Sequence, residues 1–352
     1  MKLGLGLYNH MLNKEHFAFA KQCGCTHLVV HLVDYFNSGN QKKKNNQPIG
    51  DKGGWGMAGK SKQLWEVDEL LRLKREINGA GLEWEAIENF DPADWYDVLL
   101  DGPMKKIQIE RVKQLIRNVG KAGIPVMGYN FSLAGVCSRT TGKFARGEAI
   151  SVGMHEVDEN PIPNGMIWNM IYDTSASKGF IREISHAELW QRLEHFLNEV
   201  VPVAEEAGVI LAAHPDDPPM PVVRKSPRLV YQPSMYNRLL NIKKSKSNAL
   251  EFCLGSIAEM TEGNVYDATE EYVDDIAYIH FRNVKGKVPF YKEVFVDEGD
   301  IDMSRILSIL KRRNFSGVLI PDHTPQMSCE GPWYAGMAYA LGYMNAAIKM
   351  VN

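Results

Sequence analysis

The chain has 352 residues, of which 45% are hydrophobic and 24% charged, with a formal net charge of −3. That balance is ordinary for a globular protein with a large core, and the length fits one barrel-sized domain spanning 1–352. It leaves no basic surface for a phosphate backbone, so nucleic-acid binding is not expected.

No stretch approaches the roughly 20 apolar residues of a membrane span, and the first dozen residues lack a signal-peptide core, so a cytoplasmic protein is expected. Five scattered cysteines, Cys23, Cys25, Cys137, Cys253 and Cys329, argue against a disulfide framework. Cys23 and Cys25 lack CxxC spacing and read as packing residues.

In chain order, short apolar runs that stop abruptly in polar residues occur at 2–7, 27–32, 82–87, 125–130, 209–214, 250–253, 276–281 and 317–321. Helical spacing separates most of them. The stretch 67–81 carries apolar residues at Val67, Leu70, Leu71, Leu73 and Ile77 before glycine, the stop signal of an amphipathic helix. Similar patterns span 107–122, 189–207, 306–312 and 334–350, whereas the first unit's helix is short. Ala-Gly pairs at 80–81, 122–123 and 207–208 each hand a helix on to the next apolar run, the αβ turn of parallel architecture. Strand and helix alternating in this way predict an α/β fold, a (β/α)8 TIM barrel. Two polar or mixed stretches, about 36–60 and 138–185, read as insertions in the loops after strands two and four. The lysines at 42–44 read as a solvated loop.

Metal-competent side chains end four consecutive strand candidates: His214, Cys253, His280 and Asp322. Carboxyl ends of barrel strands converge on one rim, so these residues are expected to face one volume. A lone histidine or cysteine at a strand end is more often a core residue; the shared placement carries the prediction. Two imidazoles, a thiolate and a carboxylate suit a transition metal such as Mn2+, Fe2+, Co2+ or Zn2+ better than Ca2+ or Mg2+. Glu88, Asn130, Asp216, Arg282 and Asn283 follow or end strands on the same rim and are expected to contact substrate.

The run His214-Pro215-Asp216-Asp217-Pro218-Pro219 resembles the mannonate dehydratase family, part of the xylose-isomerase-like group of TIM barrels. Further family-like pieces follow in order: Tyr129-Asn130-Phe131, Phe252-Cys253-Leu254-Gly255-Ser256, His280-Phe281-Arg282-Asn283, Gly299-Asp300-Ile301-Asp302-Met303 and Pro321-Asp322-His323. The resemblance extends from about Gly24 to the end. It implies a hydro-lyase of hexuronate degradation that converts D-mannonate to 2-keto-3-deoxy-D-gluconate with Mn2+ or Fe2+, acting as a homo-oligomer. It implies His214, Cys253, His280 and Asp322 as metal ligands, with His323 and Tyr334 (or Tyr339) as catalytic residues. The chain departs from the family pattern at Val33-Asp34, where paired histidines are usual, at Ile320, where an arginine is usual, and at Thr324. A metal-dependent sugar isomerase or epimerase, or a non-catalytic sugar-acid-binding barrel, are the other readings.

Overall fold

Eight strands close into a barrel: β1 Lys2–Leu7, β2 His27–Val30, β3 Glu83–Glu88, β4 Val126–Tyr129, β5 Ile210–Ala213, β6 Asn248–Cys253, β7 Ile276–His280 and β8 Val318–Ile320. Their order round the barrel is β1-β8-β7-β6-β5-β4-β3-β2, and every adjacent pair is parallel. The computed structural model describes residues 1–37, 47–48, 54–60 and 65–351; the lysine run at 42–44 lies outside them. Each apolar run of the sequence became a barrel strand.

The strands read as continuous apolar runs because both of their faces are buried. Inside the barrel, Val29, Ala86, Val126, Ala212, Tyr278, Val318 and Ile320 fill the axis. Outside it, Leu28, Ile87, Leu211, Phe252 and Ile279 pack against helix residues such as Leu115, Leu193, Phe196 and Leu307. Ile320, where the family pattern has an arginine, is spoken for by the inner core.

The longest helix, His186–Ala207, begins three residues before its apolar periodicity. Ser185 accepts from the Glu188 amide while Glu188 caps the Ser185 amide, and Gly208 ends the helix at φ 67. Helices Val67–Gly79, Lys105–Lys121, Met303–Arg312 and Pro332–Val351 also fall where expected. Pro92–Leu100, Met235–Ile242, Leu254–Glu259 and Val265–Tyr272 were not foreseen. Each is too short to repeat a helical period convincingly.

The insertions do not merely loop out. Thr140–Ala145 and Ala149–Met154 form a hairpin that pairs through Tyr291 and Lys292 with a second hairpin, Asn283–Lys287 and Phe290–Val294, that follows β7. A smaller sheet joins Gly56–Met57 to Met170–Ile171, so the insertion after β2 touches the one after β4. Both sheets belong to loops that follow strand carboxyl ends, the face on which barrel sites are built.

Gly128 in β4 faces the axis, where an added Cβ would collide with Glu251 Oε2 and Tyr278 Oη, both on fully buried residues. Gly128→Ala is expected to cost about 1–3 kcal/mol of stability through overpacking, read from urea denaturation. An unchanged midpoint would mean that Glu251 and Tyr278 have room to retreat.

Candidate active site

At the carboxyl rim lies a cleft lined by Tyr8, His31, Tyr35, Glu88, Asn130, Arg139, Trp168, His214, Asp217, His280, Asp322 and His323, among others, with a volume of about 510 Å3 including its open mouth. The strands bring His214, Cys253 and His280 together, their ligand atoms all within 4.8 Å of one another. Asp322 stands beside them, its Oδ2 3.5 Å from His280 Nδ1. That carboxylate is also drawn to Arg282 Nε at 3.3 Å and to His323 Nε2 at 3.2 Å. Asp322 follows β8 in the left-handed region at φ 61, which Asp tolerates better than most residues.

Each imidazole is oriented by its other nitrogen. His214 Nδ1 lies 2.6 Å from the Pro215 carbonyl, which makes it the N–H donor and leaves Nε2 for the cluster. His280 Nε2 lies 3.1 Å from Glu251 Oε1 and 3.4 Å from Glu88 Oε2, so its Nδ1 faces Asp322. Neither His280 nitrogen has a well-aligned hydrogen bond among the described residues. Buried ring nitrogens without aligned partners, next to a thiol and a carboxylate, fit a transition-metal ion.

The charges point the same way. Burial pushes the Cys253 thiol up, but Arg282 and the His214 and His280 imidazoles outweigh it and hold the thiol well below its usual value. Burial lowers the His214 imidazole, but its hydrogen bond to Cys253 and the nearby Glu251 raise it to about 9. His280 is likewise raised despite burial, by Asp322 and Glu88. In the metal-free protein, protons on imidazole therefore supply the positive charge that the buried thiolate and carboxylates require. Glu88 and Glu251 divide one charge between them. Burial works against ionisation of both, but His31 and His280 hold Glu88 below its ordinary value, whereas Glu251, facing Glu88, is raised.

Among the residues expected to touch substrate, Glu88 and Asn130 line the cleft. The amide of Asn130 is engaged, donating to Pro215 O at 3.2 Å and accepting from Trp168 Nε1 at 3.1 Å. Asp216 does not line the cleft. It accepts from Arg228 at 3.0 Å and from the Leu229 and Val230 amides, and so pins the loop after β5. Its neighbour Asp217 is the one that faces the cleft.

Arg282 lies behind the cluster rather than in the cleft, within 3.4 Å of Cys253 Sγ and 2.7 Å of Glu293 Oε1. Asn283 also points away, its side chain bonded to Val296 O, Ile301 O and the Ile301 amide. Both side chains are held off the cleft by these partners rather than by strand direction.

His323 lines the cleft, with Nδ1 3.4 Å from Glu293 Oε1. Tyr334 is not among the residues that line it. Its hydroxyl donates to Glu15 Oε1 at 2.8 Å and lies 3.2 Å from His16 Nε2, because the final helix starts over the first one. Tyr339 instead meets Arg146. The tyrosines that line the cleft are Tyr8 and Tyr35.

Sequence reasoning missed Tyr8, His31, Glu251 and Glu293. His31 follows β2 and lies 3.5 Å from Glu88, so a histidine does reach the cleft from this strand, two positions before Val33. Glu251 carried a readable signal, a carboxylate inside an otherwise apolar strand. Glu293 had none, since it arrives on the unforeseen hairpin after β7. Arg139 enters the cleft wall from the β4 insertion.

The D-mannonate dehydratase family model matches residues 55–351. A mannonate dehydratase of Streptococcus suis is 33% identical over 280 residues, covering 74% of this chain and 75% of that protein. One from Oceanobacillus iheyensis is 29% identical over 276 residues, covering 74% and 77%. The crystal structure of mannonate dehydratase from Streptococcus suis serotype 2 matches with a TM-score of 0.77 at 27% identity, over 100% of this chain and 93% of that one. A xylose isomerase domain protein from Planctomyces limnophilus, at 11% identity and a TM-score of 0.56 over 99% and 98% of the two chains, shares the fold alone.

Burial works against ionisation of Glu293, yet His323, Arg282 and Arg139 hold it at about 2. A depressed carboxyl stabilises the fold fully above its unfolded value near 4.5 and loses that contribution as pH falls through about 2. The stability gap between the metal-free wild type and Glu293→Gln is therefore expected to shrink by about 2 kcal/mol between pH 5 and pH 3, measured by urea unfolding. A constant gap would show that Glu293 is not held ionised.

Proposed function

The chain belongs to the D-mannonate dehydratase family and is a hydro-lyase; we propose that its substrate is D-mannonate, converted to 2-keto-3-deoxy-D-gluconate with Mn2+ or Fe2+ bound. The observation that carries this reading is the convergence of His214, Cys253 and His280 at the floor of a cleft that also contains Asp322 and His323. In the proposal these first three and Asp322 hold the ion, and His323 is the neighbouring base. A divalent ion there would act as a Lewis acid, stabilising the negative charge that develops when the weakly acidic proton beside a carboxylate is removed.

The protein's own groups do the rest. Glu293 lies 3.4 Å from Nδ1 of His323 and orients the ring at the cleft wall; Nε2, beside Asp322 at 3.2 Å, is the nitrogen that would take the proton on C2 once Asp322 is committed to the ion. Arg139 lines the same cleft and offers a cation toward an acidic sugar. The aromatic rings of Tyr35, Trp55 and Trp168, mutually packed at 5.4–5.9 Å, close one side against water. Such a wall suits the carbon faces of a sugar chain.

Protein stripped by chelator and reloaded with Mn2+ is expected to form α-keto acid from D-mannonate, and the stripped protein to form none. His323→Asn is expected to lose about 10²–10⁴ in kcat at unchanged metal content. Aldose–ketose exchange on a free sugar, with no keto acid from any hexonate, would favour the isomerase reading.

The His214 proton, held to about 9, must leave before that nitrogen can ligate a metal. Apparent Mn2+ affinity is therefore expected to strengthen about tenfold per pH unit from pH 6 to 8 on account of that proton alone, as followed by electron paramagnetic resonance titration. Affinity independent of pH would remove His214 from the ligand set.

A further inference from the structure

Elimination of water needs two proton handlers, one to take the proton on C2 and one to protonate the hydroxyl leaving C3. His323 can be the first. The phenol that the resemblance offers beside His323, Tyr334, is bonded to Glu15, and Tyr339 is engaged with Arg146.

The cleft does contain a phenol placed for the task. Tyr8 follows β1 and stands between the main cleft and a smaller adjoining cavity, both of which include His31, Asp322 and His323 in their walls. Its ring is fixed, stacked on His31 at 4.7 Å and edge-on to Phe36 at 5.3 Å. The other cleft tyrosine, Tyr35, already interacts through its hydroxyl, which accepts from Asn89 at 3.2 Å. For the Tyr8 hydroxyl no hydrogen-bond partner occurs among the described residues. A rigid ring whose donor is not committed to any described residue, on the wall shared with His323, is what a proton donor to a bound ligand requires. Tyr8 also precedes the segment 55–351 matched by the family model.

We propose that Tyr8 is the general acid of this chain, delivering its phenolic proton to the hydroxyl that departs from C3. The proposal rests on the dehydratase reading above. In the step, His323 takes the C2 proton and the C2–H electron pair becomes the C2–C3 double bond. The C3–O bond breaks, and its oxygen leaves as water with the Tyr8 proton. The resulting enol then tautomerises: its hydroxyl proton returns to Tyr8, and the proton on His323 passes to C3. Protons and electrons balance without any oxidant or co-reactant.

The test compares Tyr8→Phe, Tyr334→Phe and His323→Asn in Mn2+-loaded enzyme, reading keto-acid formation, deuterium exchange at C2 of D-mannonate, metal content and thermal unfolding. Phenylalanine keeps the ring contacts of Tyr8 and breaks no hydrogen bond to a described residue, so folding and metal content are expected to be unchanged. Tyr8→Phe is expected to lose at least about 100-fold in kcat while still exchanging the C2 proton. His323→Asn is expected to lose both, and Tyr334→Phe to stay near wild type. Tyr8→Phe within about threefold of wild-type kcat, or losing exchange together with turnover, would overturn the assignment, as would a loss confined to Tyr334→Phe. Wild type that forms no keto acid from any hexonate would instead overturn the dehydratase reading, and the role of Tyr8 with it.

Discussion

A single buried guanidinium ties the site together. Arg282 is 2% exposed and reaches Glu293 at 2.7 Å, Ser256 Oγ at 3.0 Å, Glu259 at 3.1 Å, Asp322 at 3.3 Å, and Cys253 and Asp217 at 3.4 Å. Those partners come from the end of β6 and the short helix after it, the loop after β5, the end of β8 and the rim hairpin after β7. Its planar fork of donors can satisfy several acceptors at fixed angles, which a lysine could not. The space for it is reserved by Gly255, since a Cβ there would come within 2.7 Å of Nε and 2.8 Å of Cζ. Removing one partner of such a buried set leaves uncompensated charge and typically costs 3–5 kcal/mol. The geometry of the cleft floor thus depends on a residue that does not line the cleft.

Arg282 does not balance the charge by itself. Around it lie Asp217, Glu259, Glu293, Asp322 and the Cys253 thiol, with Glu88 and Glu251 nearby; Arg139 is the other guanidinium in contact with this group. Burial of so many acids is tolerable only if some stay protonated and others are matched by cations. Both solutions occur. Glu259 and Glu251 are pushed up by burial, while imidazoles at 214 and 280 hold on to protons that free histidine would release near neutral pH. A site in which protons stand where a divalent ion would place its charge can exchange one for the other without rebuilding its surroundings.

The sequence made the barrel legible because strands buried on both faces are unbroken apolar runs, and helices longer than three turns repeat their period several times. His214, Cys253 and His280 were legible for a related reason. Each ends a strand, so topology alone brings the three together, however far apart they lie in the chain. Asp322 obeys the same rule but turns partly toward Arg282 and His323. Past the strand ends that logic stops. Asp216 and Asp217 are neighbours and both buried; Asp216 is held by Arg228 and two backbone amides, whereas Asp217 meets Arg139, Arg282 and Tyr291 on the cleft side. Arg282 and Asn283 were expected in the cleft because they follow His280, yet their own partners hold both side chains off it. The direction of Tyr334 could not be read for a longer-range reason: where a helix's first turn points depends on what it packs against, here Glu15 and His16 of the first helix.

The division between what could and could not be read has a functional meaning. The groups suited to move a proton or hold a cation are mounted on strands, whose positions the whole barrel fixes. The other cleft-lining groups Tyr35, Trp55, Arg139 and Trp168 are mounted on the connections after β2 and β4, which are stitched together by small sheets of their own. Loops on a rigid scaffold change readily without disturbing the strands beneath them. The departures from the family pattern show the same division: the cluster residues keep their type, while Val33, Asp34 and Thr324 lie beyond the strand ends. Ile320 is the exception that explains itself, because it lies in β8 and fills the barrel axis with Val29 and Val318. The guanidinium that lines the cleft is instead that of Arg139, which the β4 insertion brings to its wall.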